Sequence, residues 1–131
     1  MSSISSSKRR ILAMDDDASI RSLFTVALTH FGYDVVVAGH GEEALQLFTQ
    51  GKQKGESFDA VILDLTVNGG MGGEETLEKL LQIDPQVKAV ISSGLDANPS
   101  DHVKAGVRAV ISKPYRVDDL RKTLSEVIAA G

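Results

Sequence analysis

The sequence predicts an alternating α/β fold, a parallel sheet of five strands covered on both faces by helices. Three observations lead there. Short apolar runs such as Ala60-Val61-Ile62-Leu63 show no polar alternation, as expected of strands buried on both faces of a parallel sheet. Periodicity alone would also fit a short buried helix segment, but the length and the β-branched content of these runs favour strands. Between them, apolar residues recur at intervals of three and four, the spacing of one helix face. The two patterns alternate strictly, which specifies a parallel sheet joined by right-handed crossovers. The expected order is the doubly wound 2-1-3-4-5, because it sets strands one and three side by side at the switch point.

Residues 1–7 are Ser-rich and are expected to form a disordered lead or linker, with one domain over 8–131. Arg10-Ile11-Leu12-Ala13-Met14 is the first strand; Lys8-Arg9-Arg10 is a solvated lead-in, and Asp15-Asp16-Asp17 follows directly. A helix begins at Ala18, with Ile20, Leu23, Phe24, Ala27, Leu28 and Phe31 on one stripe. Gly32 stands where a left-handed cap is wanted, and Asp17 is placed to cap the other end through its side-chain oxygen. Tyr33 to Ala38 is the second strand, and Gly39-His40-Gly41 turns into a helix from about Glu42 to Gln50, whose first acids suit a positive helix start. Lys52 to Ser57 is a polar connection.

The central strand, Phe58 to Thr66, ends in Asp64-Leu65-Thr66. The loop Asn68-Gly69-Gly70-Met71-Gly72-Gly73 leads into a helix opened by Glu74 and Glu75, with Leu77, Leu80 and Leu81 inward, and Asp84-Pro85 stops it. Val87 to Ile91 is the fourth strand, with Ser92-Ser93-Gly94 as its polar end. Asn98-Pro99 looks like a cap and first-turn proline for a short, weakly apolar helix ending at Ala105. Val107 to Ile111 is the fifth strand, Lys113-Pro114 follows, and a last helix carries Val117, Leu120, Leu124, Val127 and Ile128 on one face.

Composition narrows the function. A net charge of −4, with no basic run beyond Lys8-Arg9-Arg10, argues against a nucleic-acid partner. No apolar run is long enough to cross a membrane, and residues 1–7 lack the apolar core of a signal peptide, so a cytoplasmic protein is expected. The absence of cysteine removes disulfides and thiolate metal sites.

The chemistry collects where the strands end. In open parallel sheets, binding sites form just beyond the carboxyl ends of the strands. Strand order 2-1-3-4-5 brings Asp15, Asp16 and Asp64 together there. Three converging carboxylates repel, and a divalent cation resolves the conflict. All the donors are hard oxygens, with no Cys and no neighbouring His, so magnesium is favoured over zinc, and backbone carbonyls can complete its coordination. A carboxylate at such a site can itself attack phosphorus. Lys113 and Ser93, at the ends of the fifth and fourth strands, are placed to supply charge and a hydrogen bond to the transferring oxygens.

Four motifs in this order resemble the receiver domain of two-component response regulators, over about residues 8–129. Met14-Asp15-Asp16-Asp17 is similar to the acidic metal-binding motif and Ile62-Leu63-Asp64 to the phosphoacceptor strand. Ile91-Ser92-Ser93-Gly94 is similar to the switch hydroxyl motif, and Ser112-Lys113-Pro114-Tyr115 to the lysine-proline motif. The resemblance implies a flavodoxin-like (βα)5 fold, with Mg2+ held by Asp15, Asp16, Asp64 and the Thr66 carbonyl. It further implies that Asp64 accepts a phosphoryl group from a histidine kinase or phosphotransfer protein, with Ser93 and Lys113 on the phosphate and a cis Lys113-Pro114 bond. Such a module is a signalling domain that catalyses its own phosphorylation and dephosphorylation, and it passes the signal to a downstream protein through its fourth helix, fifth strand and last helix. With no output domain before Gly131, the signal is expected to reach another protein unless the module is cut from a longer chain. Asn68 stands where the family often has proline, and the following loop is one residue longer than in many members, as in receivers of hybrid sensor kinases. Val110 replaces an aromatic residue that swings inward in many receivers, which moves any signal route to Ser93 and the weak fourth helix.

Two other classes share parts of the pattern. Asp15-Asp16-Asp17-Ala18-Ser19 mimics the Asp-x-Asp motif of haloacid dehalogenase-like Mg2+-dependent phosphohydrolases, in which Asp15 would be the nucleophile, but the chain is short for their cap. A flavodoxin-like cofactor binder wants hydroxyls and amides, not three aspartates, after strand one. The glycine-rich loop matches no nucleotide-binding fingerprint, and Glu74-Glu75 would repel a phosphate there. His30, His40 and His102 are expected in surface or structural roles.

Overall fold

A computed structural model describes residues 8–65, 72–93, 107–112 and 116–129. The first strand forms where the chain becomes continuously apolar: β1 is Arg10–Met14, with Ile11 to Met14 wholly buried. It is joined by β2 (Asp34–Ala38), β3 (Ala60–Asp64), β4 (Ala89–Ser93) and β5 (Val107–Ser112). All pair in parallel, in the order β2-β1-β3-β4-β5. The helices are α1 (Ala18–His30), α2 (Gly41–Gln53), α3 (Gly73–Ile83) and α4 (Val117–Ala129). Alternation and strand order are those read from the sequence. The helix expected over 98–105 lies outside the described residues.

Strand side chains alternate between two faces, and each face has its own helices. Leu12, Met14, Val61, Leu63 and Ile91 meet Ala44 and Phe48 of α2 and Leu77 and Leu80 of α3. Ile11, Ala13, Ile62, Val90 and Ile111 meet Phe24 and Leu28 of α1 and Leu120, Leu124 and Val127 of α4. Each of the larger of these side chains, fully buried, contributes roughly 1.5–3 kcal/mol. An exposed ion pair such as Lys52–Asp84, 3.3 Å apart between the ends of α2 and α3, contributes at most about 1 kcal/mol. The two apolar layers therefore hold the sheet.

Helix ends follow local chemistry. Asp17 caps α1 by accepting from the Ser19 amide at 2.8 Å. At the other end Gly32 has φ +95°, its N–H donates to Thr29 O, and the Tyr33 N–H donates to Leu28 O, both at 3.0 Å. Those two bonds are a Schellman closure, and glycine supplies its left-handed residue without a Cβ penalty.

Several boundaries differ from the sequence expectation. β2 starts at Asp34 rather than Tyr33, β5 extends to Ser112, and β3 is confined to Ala60–Asp64. Phe58 instead packs on Phe48, and the Asp59 carboxylate accepts from the Arg10 amide. β4 begins at Ala89 and includes both serines, since strand pairing with β3 and β5 continues through them. Arg10 is not a solvated lead-in. Its guanidinium lies over the Phe58 ring, faces Asp34 and donates to the Glu56 carbonyl, closing the amino end of the sheet.

α2 runs past Gln50 to Gln53 because its glycine at 51 is required by contact rather than by a break. A Cβ there would lie 2.7 Å from the Glu56 carbonyl oxygen, and the Glu56 amide donates to Gly51 O at 2.7 Å. Alanine would gain about 0.5–1 kcal/mol of helix preference, but overpacking against backbone costs about 1–3 kcal/mol. Gly51→Ala is expected to lower the urea midpoint, and an unchanged midpoint would show that the 51–56 turn yields freely.

Candidate functional site

β1 and β3 pair with Met14 opposite Leu63, so the next residue of each, Asp15 and Asp64, reaches the same level at the carboxyl end of the sheet. Both are wholly buried, while Asp16 beside them is half-buried. One carboxylate oxygen of each of the three lies within 4.8 Å of the others. The three aspartates picked out in the sequence are thus brought together.

Local bonds set this arrangement. The Asp15 amide donates to Ala38 O at 3.0 Å, which carries the β1–β2 ladder one residue past the strand. The Asp15 carboxylate accepts from the Asp17 amide at 2.9 Å, and its carbonyl accepts from the Arg21 guanidinium at 2.9 Å. Asp64 is in register with Ser92, and the Leu65 amide donates to Ser92 O at 3.0 Å. On its other side, α3 begins against the strand: Gly73 is buried, and Thr76 gives its amide and its hydroxyl to Gly72 O at 3.0 and 2.7 Å.

Two unit charges 4.8 Å apart or closer repel by roughly 3 kcal/mol or more at an effective dielectric constant near 20. The Arg21 guanidinium beside them bonds the Asp15 carbonyl and not a carboxylate oxygen, and the three acids concentrate negative charge at one point of the sheet's edge. A small hard cation takes oxygens at about 2.1 Å and spans opposite ligands roughly 4.2 Å apart. Three ligands of one such ion cannot all be opposite one another and stand roughly 3–4 Å apart. The three aspartate oxygens, within 4.8 Å of one another, would draw in to bind it, and their hard-oxygen donor set suits magnesium or calcium rather than zinc.

Of the other expected site residues, Ser93 is the last residue of β4, in register with Ser112. Thr66, Lys113 and the Lys113-Pro114 bond lie outside the described residues. Val110 is half-buried against the layer of α2 and α3. His40 is structural: its Nδ1 accepts from the Glu43 amide at 3.3 Å while the Glu43 carboxylate accepts from the Gly39 amide at 2.8 Å, a reciprocal cap. His30 is exposed beside the Phe31 ring, and His102 lies outside the described residues.

Sequence reasoning missed Arg21, Ser92 and Gly73. Arg21 follows the acidic run by one helical turn, a spacing that aims a basic side chain back at it. Ser92 is 1% exposed beside Asp64, where the sequence predicts only a polar strand end. Nothing local marks Gly73 among its neighbouring glycines. No helix among the described residues is long and apolar enough to cross a membrane.

The family model of the response regulator receiver domain matches residues 11–125. The chain is 30% identical over 122 residues to the chemotaxis protein CheY of Thermotoga maritima, covering 91% of this chain and 97% of that protein. It is 31% identical to the transcriptional regulatory protein ZraR of Klebsiella oxytoca, covering 91% of this chain but only 26% of that longer protein. Among solved structures, the response regulator TrrA of Thermotoga maritima in complex with Mg2+-BeF superposes with a TM-score of 0.79 at 28% identity, over 91% of this chain and 98% of that one.

Because the buried carboxylates repel, Asp64→Asn is expected to raise the thermal midpoint of the metal-free protein. Calorimetry in a chelating buffer checks this. A lower midpoint would mean that a cation of the chain itself already balances the cluster.

Proposed function

The chain belongs to the response regulator receiver domain family, and from that premise we propose that it is the phosphoacceptor module of a two-component or phosphorelay system. The observation that carries this reading is the convergence of Asp15, Asp16 and Asp64 within 4.8 Å at the carboxyl end of adjacent strands. The module spans residues 8–131, with 1–7 as its lead, and works in the cytoplasm. Asp64 takes a phosphoryl group from the phosphohistidine of a kinase or phosphotransfer protein. An Asp64 oxygen forms a bond to phosphorus as the phosphorus–nitrogen bond breaks, and the departing imidazole takes a proton from solvent. Water later attacks the acyl phosphate, which returns the carboxylate and releases inorganic phosphate.

Asp15, Asp16, Asp64 and the Thr66 carbonyl would hold Mg2+, which supplies charge neutralisation to the transferring phosphoryl oxygens. The Mg2+-BeF complex of the related TrrA supports that assignment. Lys113 neutralises a phosphoryl oxygen and Ser93 donates a hydrogen bond to another. Phosphorylation draws both inward and shifts the surface that includes β5 and α4 between two populations that a downstream protein distinguishes. Val110 offers no aromatic ring at its own position, so the change runs through Ser93 and the segment after it.

Incubation with acetyl phosphate and Mg2+ is expected to add one phosphoryl mass to the intact protein, none to Asp64→Asn, and little to Asp15→Asn. Uptake by Asp64→Asn but not by Asp15→Asn would move the nucleophile to Asp15 and replace this reading with a phosphohydrolase.

A further inference from the structure

Gly73 opens α3 in a conformation that any residue can adopt, since the positive-φ glycines among the described residues are Gly32 and Gly55. What excludes a side chain there is contact. A Cβ on Gly73 would lie 2.7 Å from the Asp64 carbonyl oxygen, 3.1 Å from the Asp64 carbonyl carbon and 3.2 Å from a Leu65 methyl. The neighbouring Gly72 would place a Cβ 3.4 Å from Leu65 O, an ordinary contact. The close approach is therefore specific to residue 73, and its partner is the backbone of the central aspartate.

We infer that Gly73 is a positioning residue for Asp64, an inference that rests on the phosphoacceptor reading. The peptide joining Asp64 to Leu65 is held from both sides. Its N–H is bonded to Ser92 O at 3.0 Å, and its carbonyl oxygen occupies the space that a Cβ on Gly73 would need. The α3 side of this clamp is braced in turn by the two bonds from buried Thr76 to Gly72 O. A methyl group at 73 has two outlets. Either α3 retreats from the sheet, or the 64–65 peptide rotates and carries the Asp64 carboxylate with it. The second shifts one of three carboxylates that lie within 4.8 Å of one another, and the first removes the contact that holds the peptide bearing it. Magnesium accepts little departure from octahedral geometry, and a misplacement near 1 Å at a reacting group costs on the order of a hundredfold.

Gly51 provides the matched control. A Cβ there meets the Glu56 carbonyl oxygen at the same 2.7 Å, beside Arg10 and Phe58 at the amino end of the sheet. Mg2+ affinity by titration calorimetry and the initial rate of mass gain from acetyl phosphate would be measured on the wild type, Gly73→Ala and Gly51→Ala. Gly73→Ala is expected to weaken Mg2+ binding and slow phosphoryl uptake by roughly tenfold or more, while Gly51→Ala loses stability and keeps both. Wild-type affinity and rate in folded Gly73→Ala would overturn the inference, as would an equal loss in Gly51→Ala. Absence of uptake by the wild type sinks the phosphoacceptor reading instead, and the role of Gly73 is then judged on Mg2+ affinity alone. If Gly73→Ala does not fold, Thr76→Val, which removes one brace at nearly constant volume, is expected to weaken Mg2+ binding several-fold, and wild-type affinity there would overturn the inference.

Discussion

Parallel hydrogen bonding between β1 and β3, with Met14 opposite Leu63, carries the next residue of each strand to the same level of the sheet. Both residues are aspartates, and both are buried. Two apolar strands running side by side are favourable, whereas two acids emerging side by side are not. The strands cannot separate, because their side chains are shared between the two apolar layers. Electrostatic conflict is thus concentrated at one point by packing energy spread over the whole sheet. That point is where the proposed cation and phosphoryl group would act.

The two ends of the sheet use backbone contact differently. At the amino end, Arg10 bridges Asp34, the Glu56 carbonyl and the Phe58 ring, and Gly51 allows α2 to close on the 56 peptide. These contacts tie the connections down. At the carboxyl end, Gly73 against Asp64 and Arg21 on the Asp15 carbonyl hold peptides, and the Asp17 amide holds the Asp15 carboxylate. One charged oxygen of each acid stays within 4.8 Å of the others on a backbone that is fixed. Preorganisation of this kind suits a site that must present several anionic oxygens to one small ion.

Register also bears on why the second serine of the Ser92-Ser93 pair is the one proposed to meet phosphate. Successive strand residues face opposite sides of the sheet. Ser92 continues the face of Val90, which belongs to the α1 and α4 layer, and it lends its carbonyl to the Leu65 amide. Ser93 follows it at the very end of β4, level with Ser112. The backbone of one serine therefore braces the central aspartate, and the other stands at the rim where the chain leaves the sheet.

Local pattern was enough to read the alternation of strands and helices, the strand order and the Asp17 cap, because apolar runs, helical stripes and capping residues act within a few positions of one another. It was also enough to single out Asp15, Asp16 and Asp64, since an acid directly after a buried apolar strand must stand at the rim where a parallel sheet binds its ligands. The extension of α2 through Gly51, the engagement of Arg10, the serines within β4 and the role of Gly73 were not legible. Each depends on a contact between segments distant in sequence, and a glycine excluded from change by a carbonyl looks the same in a string of letters as one in an open loop. The chain by itself determined which groups would gather at the sheet's edge. Only the tertiary structure decided how closely they stand, because spacing is set by helices and strands pressing on one another's backbones.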